Sequence, residues 1–179
     1  MTPQVTAIAV PPASRIALEL PGADFYDAYA MPLEYGGRTA LELYLDVVAR
    51  TPAWVVSLMA LRNRVVGLFG LKNLGQLGDV RGAKAAADYR IGDRVGIFAL
   101  LSQTDDEIVL GEVDKHLDVK LSVCKLAQDG RPAVAVTTVV HIHNLLGNAY
   151  MLFVAPVHKF VAPAVLRQAA GLPASSRPE

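Results

Sequence analysis

The chain has 179 residues, 53% of them hydrophobic, and a formal net charge of zero. That length suits one domain burying roughly 70% of its unfolded surface, and neutrality removes the field that would gather nucleic acid or an anionic membrane. One cysteine, Cys124, excludes an internal disulfide framework and fits a reducing, cytoplasmic compartment.

The apolar surplus is consistent with a greasy cavity, an oligomer interface, or simply an Ala- and Val-rich proteome. Charge is clustered, with seven basic against three acidic residues from Arg62 to Arg94 and six acidic against one basic from Asp105 to Asp118. Solvated faces account for most such segments. No basic region followed by a sustained apolar core opens the chain, so no signal peptide is expected. The longest apolar run, Ala149 to Val157, contains Pro156 and falls short of the roughly 20 residues of a helical span, so no membrane insertion is expected.

In chain order, residues 1–14, with Pro3, Pro11 and Pro12, read as a flexible N-terminal arm or an edge segment. Phe25, Tyr26, Tyr29 and Met31 suggest a first strand, although Asp24, Asp27 and the alanines also permit a helical turn. Thr39 with Glu42 forms a capping box, followed by the helical stripe Leu41, Tyr44, Leu45 and Val48. Thr51-Pro52 signals a second helix, with the hydroxyl as cap and a stripe of Trp54, Leu58, Leu61, Val65 and Leu68. From Lys72 to Asp93 a long loop is expected. Its glycines match neither a phosphate loop nor a dinucleotide fingerprint, so no cofactor is implied. Strands are expected over Val95 to Leu101 and Glu107 to Val113, completing a four-stranded antiparallel meander with the hairpin that follows.

That hairpin is the most informative stretch. Asp129-Gly130 suits a two-residue type I′ turn, in which both central residues take φ > 0. Counting outward, Gln128 faces Arg131, Cys124 faces Ala135, Ser122 faces Thr137, Asp118 faces His141 and His116 faces His143. Because neighbours alternate, Leu117, Val119, Leu121 and Val123 share one face with Val134, Val136, Thr138, Val140 and Ile142. The other face collects three of the four histidines around Asp118. Asn144 should cap a terminal helix in which Leu145 to Ala155 is apolar almost all round, as in a helix buried on most sides. Pro156 and Pro163 predict bends, Gly171 a stop, and residues 172–179 a flexible tail.

The expected fold class is therefore α+β, an antiparallel meander around a long C-terminal helix with two helices inserted after the first strand, in one domain spanning 15–171. That order resembles the helix-grip architecture of the START and polyketide-cyclase-like (SRPBCC) superfamily, which implies a cavity between sheet and helix. Trp54, Leu58, Leu61-Arg62-Asn63, then Gly111 and Asp114-Lys115-His116-Leu117-Asp118, then His143-Asn144, Gly147, Tyr150, Pro156 and His158 resemble an uncharacterised bacterial DUF family. That family is also found fused behind short-chain-dehydrogenase-like or epimerase-like domains. The resemblance implies a fold and a pocket, with no assigned activity.

Candidate chemistry centres on His116, Asp118 and His141, which could act as acid and base, the carboxylate fixing the imidazole tautomer. With His143 they also offer nitrogen and oxygen donors of the kind zinc takes, although cross-strand neighbours make a plain polar ladder equally well. No metal is assigned. Tyr150, His158, Trp54, Arg62 and His143 are candidate ligand contacts, since an apolar pocket commonly needs one or two polar tips. Cys124 sits where packing, rather than nucleophilic chemistry, is expected. The function expected is binding of a small hydrophobic or aromatic molecule, without nucleic acid. A cyclase-, dehydratase- or isomerase-type enzyme is one alternative. The other is a module that pairs as a homodimer or with a dehydrogenase-like partner.

Overall fold

The computed structural model describes residues 4–68 and 84–171, the side chains of 65–68 excepted. Seven strands, β1 Thr6–Ala7, β2 Phe25–Pro32, β3 Arg94–Val95, β4 Phe98–Gln103, β5 Glu107–Val113, β6 Leu117–Gln128 and β7 Arg131–Ile142, form one sheet. Their order is β1-β2-β7-β6-β5-β4-β3 and every pairing is antiparallel. Helices α1 Ala40–Val48 and α2 Ala53–Leu68 follow the first two strands, and α3 Leu145–Leu166 closes the chain before a 3-10 turn at Arg167–Gly171. This is an α+β architecture consistent with a helix-grip fold. The loop expected from Lys72 to Asp93 lies outside the described residues up to 83, and a 3-10 turn occupies Ala86–Asp88.

The β6–β7 hairpin has the expected register. Asp129 and Gly130 take φ of 52° and 74°, Gln128 pairs with Arg131, and the count runs unbroken to Leu117 opposite Ile142. One step further, the His143 amide donates to the His116 carbonyl at 2.9 Å. The alternation therefore holds along the whole hairpin. One face meets α1 and α3, and the core cluster there includes Met31, Leu41, Leu100, Leu110, Val134 and Leu166.

The opposite face is also covered, at its centre, by the 3-10 turn Arg15–Glu19, where Ile16 is fully buried. Glu107 fastens that turn. Its carboxylate accepts from the Ser14 hydroxyl, from the Arg15 amide at 2.8 Å and from the Ser122 hydroxyl at 2.7 Å.

The helices depart from the sequence pattern in three ways. The Thr39–Glu42 capping box is present, but the Thr51 hydroxyl donates back to the Val48 carbonyl at 2.6 Å, closing α1 instead of opening α2. Within α2 the residue turned to the core is Val55, fully buried, whereas Trp54 and Leu61 are 49% and 58% exposed. Val65 and Leu68 of the expected stripe lie outside the described side chains. Helix α3 runs through Pro156 and Pro163 without interruption. It is not buried on most sides, because the sheet covers only one side of it, and Leu145, Leu152, Phe153 and Phe160 are exposed. With its terminal turn, the helix spans 27 residues, long and apolar enough to cross a membrane by length and composition. The prolines do not end it, so the short run Ala149 to Val157 understated its reach.

Candidate functional site: an apolar cavity with a polar corner

The strand alternation that builds the core also builds a void. A cavity of about 250 Å³ lies between the sheet and α1, α2 and α3. Leu117, Val119, Leu121 and Val123 of β6 and Val134, Val136, Thr138 and Val140 of β7 form its floor, while Met151, Val154, Val161 and Val165 of α3 form its roof. Residues two apart on a strand and three or four apart on a helix share a face, so both surfaces follow from sequence spacing. The lining is buried at the α1 end, around Tyr44, Val48, Leu166 and Ala169. At the other end, Arg62, Asp114, Leu117 and Tyr150 are partly exposed.

Besides Asp114 and the buried Glu112, which Arg94 pairs with at 3.1 Å, polar groups enter this lining at three places. Near the open end, Arg62 Nε donates to the Tyr150 hydroxyl at 3.0 Å while the guanidinium sits 5.4 Å from the ring centre. At the closed end, the Tyr44 hydroxyl is buried without a hydrogen-bond partner. Burial, with Tyr89 a lesser contributor, raises its ionisation well above a tyrosine's usual range, so it stays a neutral phenol.

The third place joins β2, β7 and α3. His158 Nδ1 lies 2.8 Å from Asp27 Oδ2, and the Phe25 ring meets the imidazole edge-on with centroids 6.0 Å apart. Asp27 pairs across the strands with Thr138. Asp27 Oδ1 and Thr138 Oγ1 are both buried without a hydrogen-bond partner. The Asp27 carboxylate also acts on Tyr29, whose ionisation is raised first by burial and then by that charge.

Of the residues singled out from sequence, Arg62, Tyr150 and His158 line the cavity. Trp54 does not, being on the outward side of α2. His116, Asp118, His141 and His143 project from the opposite sheet face, as the hairpin count requires, and none lines the cavity. Nor do they converge. His143 Nε2 is 3.0 Å from Asp118 Oδ1, a separation for an ion pair but off the angle of a hydrogen bond. His141 Nε2 lies 3.4 Å from the Pro21 carbonyl, and His116 Nδ1 lies 3.0 Å from Asn144 Nδ2. Among the described residues no three His, Cys, Asp or Glu side chains are grouped to hold a metal ion.

His116 belongs to a joint. Asn144 Oδ1 accepts from the Leu146 and Gly147 amides at 3.1 Å, and its Nδ2 donates to the Lys115 carbonyl at 3.0 Å, tying the β5–β6 turn to the start of α3. This contact accounts structurally for the Asp114–Asp118 and His143–Gly147 segments. Asp27, Thr138, Tyr44 and Glu112 were missed as site residues. A signal existed for Asp27: it has the inward parity of Phe25, Tyr29 and Met31, and an acid at that parity is out of place in a greasy face.

A family model described as Protein of unknown function (DUF2867) matches residues 19–165. The chain belongs to this family. Comparison with curated proteins and with solved structures gave no match. The family match spans every strand from β2 onward and all but the last residue of α3, so it includes the cavity's floor and almost all of its roof.

Proposed function

We propose that this DUF2867 protein binds a small, mostly apolar molecule between its sheet and α3, as the helix-grip proteins of the START-like superfamily do. The observation that carries the reading is the cavity itself, walled by valine and leucine on both sides. An empty apolar void forfeits dispersion contacts along its whole lining. A cavity of about 150 Å³ holds benzene, so about 250 Å³ suits a ligand of roughly ten non-hydrogen atoms on the same scale. A fused-ring or branched aliphatic molecule meets that size.

Acid–base chemistry by His116, Asp118 and His141 would need a concavity on their face, and the cavity lies on the other. A single cysteine, with no second one to form a disulfide, agrees with a reducing, cytoplasmic setting. The test is direct. Native mass spectrometry of the purified protein should find a small apolar occupant, or titration with naphthalene should show saturable binding that Val136→Phe, filling the void, weakens at least tenfold. No occupant and no naphthalene binding would end the proposal.

A second reading rests on a separate observation. The outward face of α3 exposes Leu152, Phe153 and Phe160 at 72%, 74% and 72%. Contiguous apolar surface of this kind marks interaction sites, and a second copy of the chain is the partner we propose for it.

A further inference from the structure

We propose that Thr138 and His158, with Asp27 behind them, form a recognition corner for one hydroxyl group on an otherwise apolar ligand. The inference deepens the binding reading above and rests on it. Thr138 and His158 are both lining residues of the cavity. Asp27 is not one; it stands against His158 from the strand side and spends Oδ2 on the imidazole at 2.8 Å. A carboxylate so placed accepts a hydrogen bond from Nδ1–H, and in the neutral imidazole this fixes the tautomer whose Nε2 is an acceptor. The two ring nitrogens lie on opposite edges, so the accepting edge is the one turned from Asp27.

Thr138 supplies the complement. Its side chain is buried, its hydroxyl has no partner, and it sits directly across the strands from Asp27. A hydroxyl both donates and accepts, and leaving one unpaired in an apolar wall is costly. A ligand O–H donating to His158 Nε2, with its oxygen accepting from Thr138 Oγ–H, would satisfy both groups together. An ether or a plain hydrocarbon would satisfy at most one. Elsewhere in the wall Arg62 and Tyr150 are hydrogen-bonded to each other, Glu112 is ion-paired with Arg94 and Asp114 accepts from the Lys115 amide. Beside the Tyr44 hydroxyl at the closed end, it is therefore the corner that biases which apolar molecules are preferred and how they are oriented. Phe25, edge-on to the imidazole, holds the ring in that attitude.

Three probes of similar size separate this inference from the reading it rests on: naphthalene, 2-methoxynaphthalene and 2-naphthol, each titrated calorimetrically into the full chain. The expected result is that all three bind and that 2-naphthol binds at least tenfold tighter than its methyl ether. Thr138→Val and His158→Phe should each cut that preference severalfold, read as the ratio of 2-naphthol to 2-methoxynaphthalene affinity in the same variant. Thr138→Val removes an unpaired hydroxyl without changing shape, so it should fold at least as well as the parent. Equal affinity for 2-naphthol and its ether, or a preference that survives both substitutions, overturns the corner and leaves the cavity reading standing. Binding of none of the three overturns both.

Discussion

A β-carbon built on Gly147 would stand 2.3 Å from the His116 carbonyl oxygen and 2.9 Å from Ile142 Cγ2. The first obstacle is backbone and cannot swing aside, so Gly147→Ala must push α3 off the β5–β6 turn. Overpacking of this kind costs about 1–3 kcal/mol, more than the helix propensity that alanine gains in the first turn of a helix. Gly147→Ala should therefore lower the urea midpoint without changing the slope of the transition. An unchanged midpoint would mean the joint is looser than its geometry. Cys124 gives a second test at this scale. Burial first, then the carboxylates of Glu107 and Asp106, push its thiol up to about 11 from the ordinary 9.0. The folded state thus keeps a proton that the unfolded state gives up, and the sign follows: stability falls as pH rises from about 9 to 11. Cys124→Ala should make that alkaline decline shallower, as read from denaturation midpoints across the window. It should leave the profile near neutral pH unaltered in shape.

Among the elements, those written in local chemistry were legible and those fixed by distant packing were not. The hairpin register followed from Asp129-Gly130 alone, because two positive φ values and strict alternation leave one arrangement. The capping box and the Asn144 cap were likewise local. By contrast, α2 presents the face of Val55, Met59 and Arg62 to the core and cavity, one residue round from the Trp54 and Leu61 stripe. With apolar residues on several faces, the sequence could not choose between them; the position of the sheet did. The Asp27–His158 pair joins residues 131 positions apart, which no local pattern encodes. The cover on the second sheet face was also invisible, since Arg15–Glu19 is five residues long and carries no period. Its hold on the sheet is Glu107, with three donors and Ser14 and Ser122 both buried. Glu107→Ala would leave the two buried hydroxyls of Ser14 and Ser122 without that acceptor, at a cost of about 2–4 kcal/mol. Hydrogen exchange should speed up selectively across residues 14–19. Protection there equal to wild type would show that Ile16 alone holds the segment down.

For the molecule as a whole, the consequence of this geometry is a terminal helix with two apolar faces. At 100° per residue, Tyr150, Val154, Val161 and Val165 fall together on the inward side, lining the cavity. Leu152, Phe153 and Phe160 fall on the outward side, exposed to the surroundings. The helix is apolar all round for two different reasons, which is why composition alone suggested that it was enclosed. Its inner side is engaged with the sheet, so the outer side is free to pair without disturbing the cavity. Burying a phenylalanine side chain stabilises an interface by about 1.5–3 kcal/mol, so a pair of rings from each copy supplies much of what a dimer needs. Sedimentation equilibrium of the wild-type chain should therefore show a monomer–dimer equilibrium, and the double variant Phe153→Glu, Phe160→Glu should be monomeric at the same concentrations while still binding naphthalene. A wild-type chain that stays monomeric at the highest concentration attainable would rule out self-association as the use of this face. A double variant that loses naphthalene binding as well would show that the two sides of α3 are not independent.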